Sequence, residues 1–286
     1  MQIDHAIQNH LLRNRVRMLI VGAGGTGSAF LLNLPYLHQA LTAWGHPQGL
    51  EVTVMDGDTV SETNCVRQPF AVSDIGHNKA TVLVSRLNLF WGLNWSAVPH
   101  HFTRKCLSTR SGGHDSFDIV VGCVDSRAAR REITAAVTSS TSSTSYYLDL
   151  GNNSSSGQFV LGQPLNSRNR RRKDRLRIVS ELFPEMLDEE EDPLPSCSAA
   201  AAINAQEPFV NQMLAVSALS MLTRLFRYGR IPYQGAFWNA ETGRMVSLVN
   251  DPDQRRRLSR ATARRKAACA GRFCSCRPSA FVSLCL

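Results

Sequence analysis

The residues Gly22-Ala23-Gly24-Gly25-Thr26-Gly27 have the types and spacing of an anion cradle. Gly22 permits a tight exit from a preceding strand, and Gly24 lets the backbone approach a phosphate. Gly27 lets the next helix pack on the sheet, and the N-terminus of that helix, opening at Gly25, attracts the anion. Alone, the turn suits NAD, FAD or ATP equally. Asp56 follows at the end of an apolar run, about thirty residues on, where a carboxylate can hold both ribose hydroxyls. It could also simply cap a strand-end turn.

The next segment narrows the chemistry: Asp56-Gly57-Asp58-Thr59-Val60-Ser61-Glu62-Thr63-Asn64-Cys65-Val66-Arg67-Gln68. A dehydrogenase has no need of Asn64 and Arg67 beside its dinucleotide. An enzyme that attacks the α-phosphate of ATP must neutralise the triphosphate while pyrophosphate leaves. Arg67 suits a bidentate phosphate clamp and Asn64 a neutral donor. Lys79, near the start of the following helix, can reach the same phosphates. Asp125, at the end of an apolar strand, can hold Mg2+ at the same sheet edge.

These residues need elements to place them. The run Arg15–Val21 reads as a buried parallel strand ending in the glycines. Residues 25–43 show helical periodicity, with a kink expected at Pro35. Leu50–Asp56 reads as the second strand, completing a βαβ unit. Residues 77–91 read as a helix, 97–102 as a third strand and 118–124 as a fourth, with Ser126 capping the next helix. Strands at 146–150 and 157–161 follow, the latter antiparallel. Residues 199–228 are helical in pattern, with Gln212, Met213, Val216, Leu219, Met221 and Leu225 as core faces. Residues 235–239 and 244–249 read as a hairpin around Glu241-Thr242-Gly243. The fold class expected is α/β: a Rossmann-like parallel sheet flanked by helices, with antiparallel strands in the C-terminal half.

In the order and spacing of Gly-x-Gly-Gly-x-Gly, Asp-x-Asp-x-Val-x-x-x-Asn-x-x-Arg-Gln, the helix-start Lys79 and the strand-end Asp125, the sequence resembles the ThiF/MoeB/E1 family. Its members adenylate the C-terminus of ubiquitin-like proteins. The match is strong over about 15–150. The stretch Pro195–Ser198 with Gln206–Gln212 looks like the PRTRC-system branch found on bacterial mobile elements, extending the resemblance to about Asp253. The resemblance implies that Asp56 binds the ATP ribose. It implies that Asn64, Arg67, Gln68 and Lys79 bind the nucleotide, that Arg67, Lys79 and Asp125 are catalytic, and that Asp125 binds Mg2+. Cys197 falls where the family carries a sulfur-linked cysteine. A thiol before a helix N-terminus is a candidate nucleophile; a small packed residue is the alternative. The partner implied is a small ubiquitin-like or sulfur-carrier protein, and the state implied is a homodimer. The family's four zinc cysteines are missing, so no zinc is expected. The family's partner-subunit arginine has only Arg13 and Arg15 as nearby candidates, neither convincing.

Charge and composition bound these readings. The net charge is +9, yet Gln254–Leu286 holds nine Lys/Arg and no acid, while the other 253 residues carry 23 basic and 23 acidic groups. A body-wide nucleic-acid face is therefore not expected. Cys65, Cys106, Cys123 and Cys197 read as free thiols of a reducing compartment, and Cys269, Cys274, Cys276 and Cys285 crowd the last eighteen residues. No apolar run is long enough to span a membrane and the N-terminus is polar, which favours the cytoplasm. Arg168–Arg177 holds seven basic residues and Glu181–Asp192 seven acidic ones. About 164–196 is therefore read as an exposed, mobile charged connection within an adenylation domain spanning 1–253, ahead of a helix and hairpin over 197–250. Residues 254–286 read as a disordered basic tail. The leading function is adenylation of a carrier protein's C-terminal carboxylate, with transfer to Cys197 as a further step. A nucleotide-binding scaffold that has lost turnover stands as the alternative, and an NAD(P)-linked oxidoreductase as a third.

Overall fold

The structure is a computed structural model and describes residues 4–107, 116–172, 174–187 and 209–251. Its strands are β1 His5–Ala6, β2 Val16–Val21, β3 Leu50–Met55, β4 Ser96–Val98, β5 Ile119–Gly122, β6 Tyr146–Asn152, β7 Ser156–Gly162, β8 Arg230–Ile231, β9 Tyr233–Asn239 and β10 Arg244–Val249. Its helices are α1 His10–Arg13, α2 Gly25–Ala43, α3 Asn64–Arg67, α4 Lys79–Trp91, α5 Arg127–Val137, α6 Val179–Leu182 and α7 Val210–Tyr228.

Eight strands form one sheet in the order β10-β9-β7-β6-β5-β2-β3-β4. Pairing is parallel from β4 through β3, β2 and β5 to β6. It is antiparallel from β6 through β7 and β9 to β10. This is the expected α/β architecture. A strand buried on both faces needs an unbroken apolar run, and β2 supplies one over Met18–Val21. Met18 and Ile20 enter the core that α2, α4 and α7 cover, while Leu19 and Val21 enter the core beneath α5 and α6. The chain passes from β2 to β3 and β4 on one side, then crosses to β5 and β6 on the other. Order therefore reverses at the β2/β5 boundary, where the carboxyl ends of two strands leave a crevice for a ligand.

Several local expectations shift. The third strand ends at Val98 because Pro99 has no N–H to continue pairing. Helix α2 runs on through Pro35. The buried stripe of α7 runs through Val210, Leu214, Ala218, Met221, Leu222 and Leu225. Gln212, Met213 and Val216 point outward; the apolar types were present, but the 3.6-residue period selects the other face.

Between 163 and 182 the charged connection is part exposed and part buried: Arg168, Arg170, Arg171 and Asp174 are exposed, while apolar and amide side chains between them turn inward. Leu176, Ile178 and Val179 are buried, the latter two in one core with Val160 and Phe237, and Asn166 and Asn169 are buried, donating to the Thr144 carbonyl at 2.8 and 3.0 Å. Its two halves do attract: Arg175 donates to both Glu181 oxygens at 2.8 and 2.6 Å. The apolar residues between the arginines, rather than the charges, decide where this segment packs. Residues 188–196, Cys197 and the tail lie outside the described residues. Among the described residues no helix is long and apolar enough to cross a membrane.

Candidate active site

The glycine turn sits at the crevice because its backbone must pass where side chains cannot. Gly22 takes φ 97°, and a Cβ there would lie 2.5 Å from the Cys123 carbonyl oxygen of the turn after β5. A Cβ on Gly27 would overlap the Gly22 carbonyl, so α2 can start immediately under the turn. Gly24 has open space where its Cβ would project, leaving backbone N–H groups accessible to a ligand. Helix α2 is nineteen residues long and begins at Gly25 with Gly24 as its N-cap. Its unpaired amides and positive end face the crevice.

Asp56 leaves β3 and ties the turn down. One carboxylate oxygen accepts the Ala23 amide and the other accepts the Asp58 amide at 2.8 Å. Burial pushes its pKa above the usual carboxylate range, against the pull of these amides and of Lys79. Asn78 caps α4 through the Thr81 amide at 3.0 Å and donates to the Asp56 and Asp58 carbonyls at 2.8 and 3.0 Å. That cap brings Lys79, the first residue of α4, against the 56–58 turn. Its buried ammonium donates to Asp58 at 3.0 Å. The glycine turn, Asp56, Asp58 and Lys79 are thus one connected unit.

The other sequence candidates lie on the segments that follow Asp58 and β5. Asn64 is buried at the head of α3, where its Oδ1 accepts from the Ser61 amide and hydroxyl at 2.9 and 3.1 Å. Arg67 is exposed at the end of that helix, and Gln68 follows half-buried with its Oε1 lacking a partner. Asp125 is exposed beyond β5, two residues past the Cys123 carbonyl that backs Gly22. Among the described residues no group of three His, Cys, Asp or Glu side chains could hold a metal. A lone exposed carboxylate fits Mg2+ only as that ion usually binds, with phosphates and water completing its shell. Ser126 caps α5 as expected, accepting the Ala129 amide at 3.1 Å. Cys123 is buried, and burial raises its thiol pKa far above the ordinary value, so it is inert. His38 accepts the Leu50 amide at 3.1 Å and serves packing.

Three features were not read as site residues from sequence. Thr26 contacts Asn152 and Asn211 at 2.9 and 2.8 Å, joining the start of α2 to β6 and α7. The Asn211 amide fills the space beside Gly25. The His101 ring lies over Gly57, within 3.9 Å of Asp58. Arg130 pairs with Asp149 in the interior behind Gly22. Asp149, a charge within the apolar run Tyr146–Leu150, was the legible signal.

These features define a Rossmann-like α/β protein with a glycine turn opening a long helix at its switch point. The ThiF family model matches residues 1–259, and the chain belongs to the ThiF family. Comparison with curated proteins yields no sequence match. Among solved structures, Escherichia coli MccB is similar at 17% identity and a TM-score of 0.56, covering 83% of this chain and 63% of MccB. PaaA is similar at 12% identity and a TM-score of 0.55, covering 82% of this chain and 64% of PaaA. A structure of MccB with ATP is similar at 16% identity and a TM-score of 0.53. The chain thus spans under two-thirds of the length of these proteins, and the likeness is one of fold.

Proposed function

We propose that the protein adenylates a C-terminal carboxylate of a small protein or peptide with Mg-ATP. The observation that carries this reading is the unit of glycine turn, Asp56 and Lys79, with Arg67 on the next short helix. The cradle amides and α2 would receive the phosphates. Asp56 would hold the ribose while fixing the turn through Ala23. Lys79 and Arg67 would offset charge on the β- and γ-phosphates as it builds on pyrophosphate, with Asn64 holding the loop that presents Arg67. Asp125 would hold Mg2+, which supplies further charge neutralisation. A carboxylate oxygen attacks the α-phosphorus, the α–β phosphoanhydride bond breaks, and pyrophosphate leaves with that electron pair. The protein's contribution is positioning and a preorganised field.

Two structures of one neighbour in fold support the pairing of a nucleotide with a second molecule: MccB has been crystallised with ATP and with MccA. The finer reading is a ubiquitin-like or sulfur-carrier acceptor, a PRTRC-type setting and a homodimer. Attack of the Cys197 thiolate on the acyl carbonyl would then release AMP.

ATP–pyrophosphate exchange, measured with candidate carrier proteins and peptides bearing a free C-terminus, tests the reaction. Acceptor-dependent exchange is expected. Tight ATP binding with no exchange for any acceptor would favour a scaffold. Binding of NAD and not ATP would overturn the reading.

A further inference from the structure

The glycine turn leans on the turn that follows β5. Gly22 packs on the Cys123 carbonyl, and the Cys123 amide donates to Val21 at 2.8 Å. Two residues further on, the same turn carries Asp125 out of the sheet. Its conformation therefore sets both the floor of the cradle and the direction of that carboxylate.

A buried polar group holds this turn from behind. Arg130, on α5, donates through Nε to Asp149 Oδ1 at 2.9 Å and through Nη2 to the Val124 carbonyl at 3.0 Å. Tyr147 donates its hydroxyl to the same Asp149 oxygen at 2.9 Å. The Arg130 and Asp149 side chains are 7% and 0% exposed. Burial raises the Tyr147 pKa well above its ordinary value, so the phenol remains a donor. Glycines make room for the group. A Cβ on Gly122 would lie 2.9 Å from the Tyr147 hydroxyl, and one on Gly151 would lie 3.2 Å from Arg130 Nη2.

As a source of stability the arrangement is poor. Both charges are stripped of water, and Asp149 Oδ2 is left with no hydrogen-bond partner. Well-packed apolar residues often replace a buried ion pair with no loss of stability. What apolar residues cannot do is hold a carbonyl in place. The planar guanidinium bridges an acceptor on β6 and an acceptor in the β5–α5 turn in one rigid fork.

We propose that Arg130, Asp149 and Tyr147 are positioning residues, a buried clamp that fixes the 122–126 turn and so aligns the glycine turn and Asp125 for Mg-ATP. The proposal rests on the nucleotide-binding reading of the site.

Three measurements test it on the full chain: thermal unfolding, Mg-ATP affinity by calorimetry, and backbone amide hydrogen exchange. In the double variant Arg130→Met/Asp149→Leu, melting is expected close to wild type. Exchange is expected to rise at Cys123–Ser126 and Ala23–Gly25, and Mg-ATP affinity to fall at least ~10-fold. Arg130→Lys keeps a charge against Asp149 but cannot span both acceptors, and is expected to show the same pattern should the double variant not fold. A folded variant with wild-type exchange in both turns and wild-type affinity would overturn the clamp. If the wild-type chain binds no Mg-ATP, the functional reading falls by itself. Faster exchange confined to the two turns would still support the clamp, and unchanged exchange would refute it.

Discussion

A buried ammonium persists only beside a partner, and Lys79 has Asp58 at 3.0 Å while Asp58 itself is 55% exposed. The lysine is thus held at the crevice by a carboxylate that water, or a triphosphate, can reach. Lys79→Met keeps the packed stem and removes the charge. Losing one charge-assisted contact should weaken Mg-ATP binding by about 10- to 100-fold, an effect of roughly 1.5–3 kcal/mol. Calorimetry that returned wild-type affinity for a folded Lys79→Met would remove the lysine from the site. Arg67 is exposed at the end of α3, so Arg67→Ala should leave melting unchanged. Exchange of pyrophosphate should drop by about 10²–10³-fold if the guanidinium acts on the departing charge; retained exchange refutes that role. Asp56 and Lys79 were legible because their positions at a strand end and a helix start are one-dimensional signals. Asn211 and Arg130 were not, because each matters through a residue brought beside it only by the sheet.

At the scale of elements, apolar runs in β2, β3, β5 and β6 declared themselves, since a central parallel strand must be apolar on both faces. Short pieces with little periodicity did not. The clearest case is β1, two residues long, which pairs with β8 and anchors the N-terminal segment to the body. His5 of β1 is buried with its Nε2 2.8 Å from the Tyr146 hydroxyl. Burial lowers its pKa to about 4 from an ordinary 6.5, outweighing the nearby Asp174. The folded state therefore favours neutral His5, and the unfolded chain binds the extra proton. Stability from this group is complete above pH 6.5 and is lost as pH falls from 6.5 toward 4. The full swing is on the order of 3 kcal/mol. Urea unfolding at a series of pH values should show this slope in the wild-type chain and a flatter one in His5→Leu, whatever the variant's stability at pH 7. An identical slope in the two proteins would mean that other groups set the acid sensitivity.

For the whole molecule, the family match reaches residue 259 and the described body ends at 251. The formal charge of the chain is carried beyond this body. Residues 1–253 balance at 23 basic against 23 acidic, and all nine surplus cations fall in 254–286. Attraction of a protein for a polyanion grows with the phosphates or sulfates it can neutralise and falls steeply with salt. Any general affinity of this protein for nucleic acid or heparin should therefore reside in the last thirty-three residues, not on the α/β body that carries the cradle. The full chain should bind heparin at low salt, with log affinity falling against log salt with a slope on the order of several units. A chain ending at Asp253 should pass through the same column and bind Mg-ATP as the full chain does. Retention of the shortened chain at equal salt would show that the body carries its own cationic face, with Arg168–Arg177 the first place to look. Loss of Mg-ATP binding on shortening would show instead that the basic segment contributes to the nucleotide site.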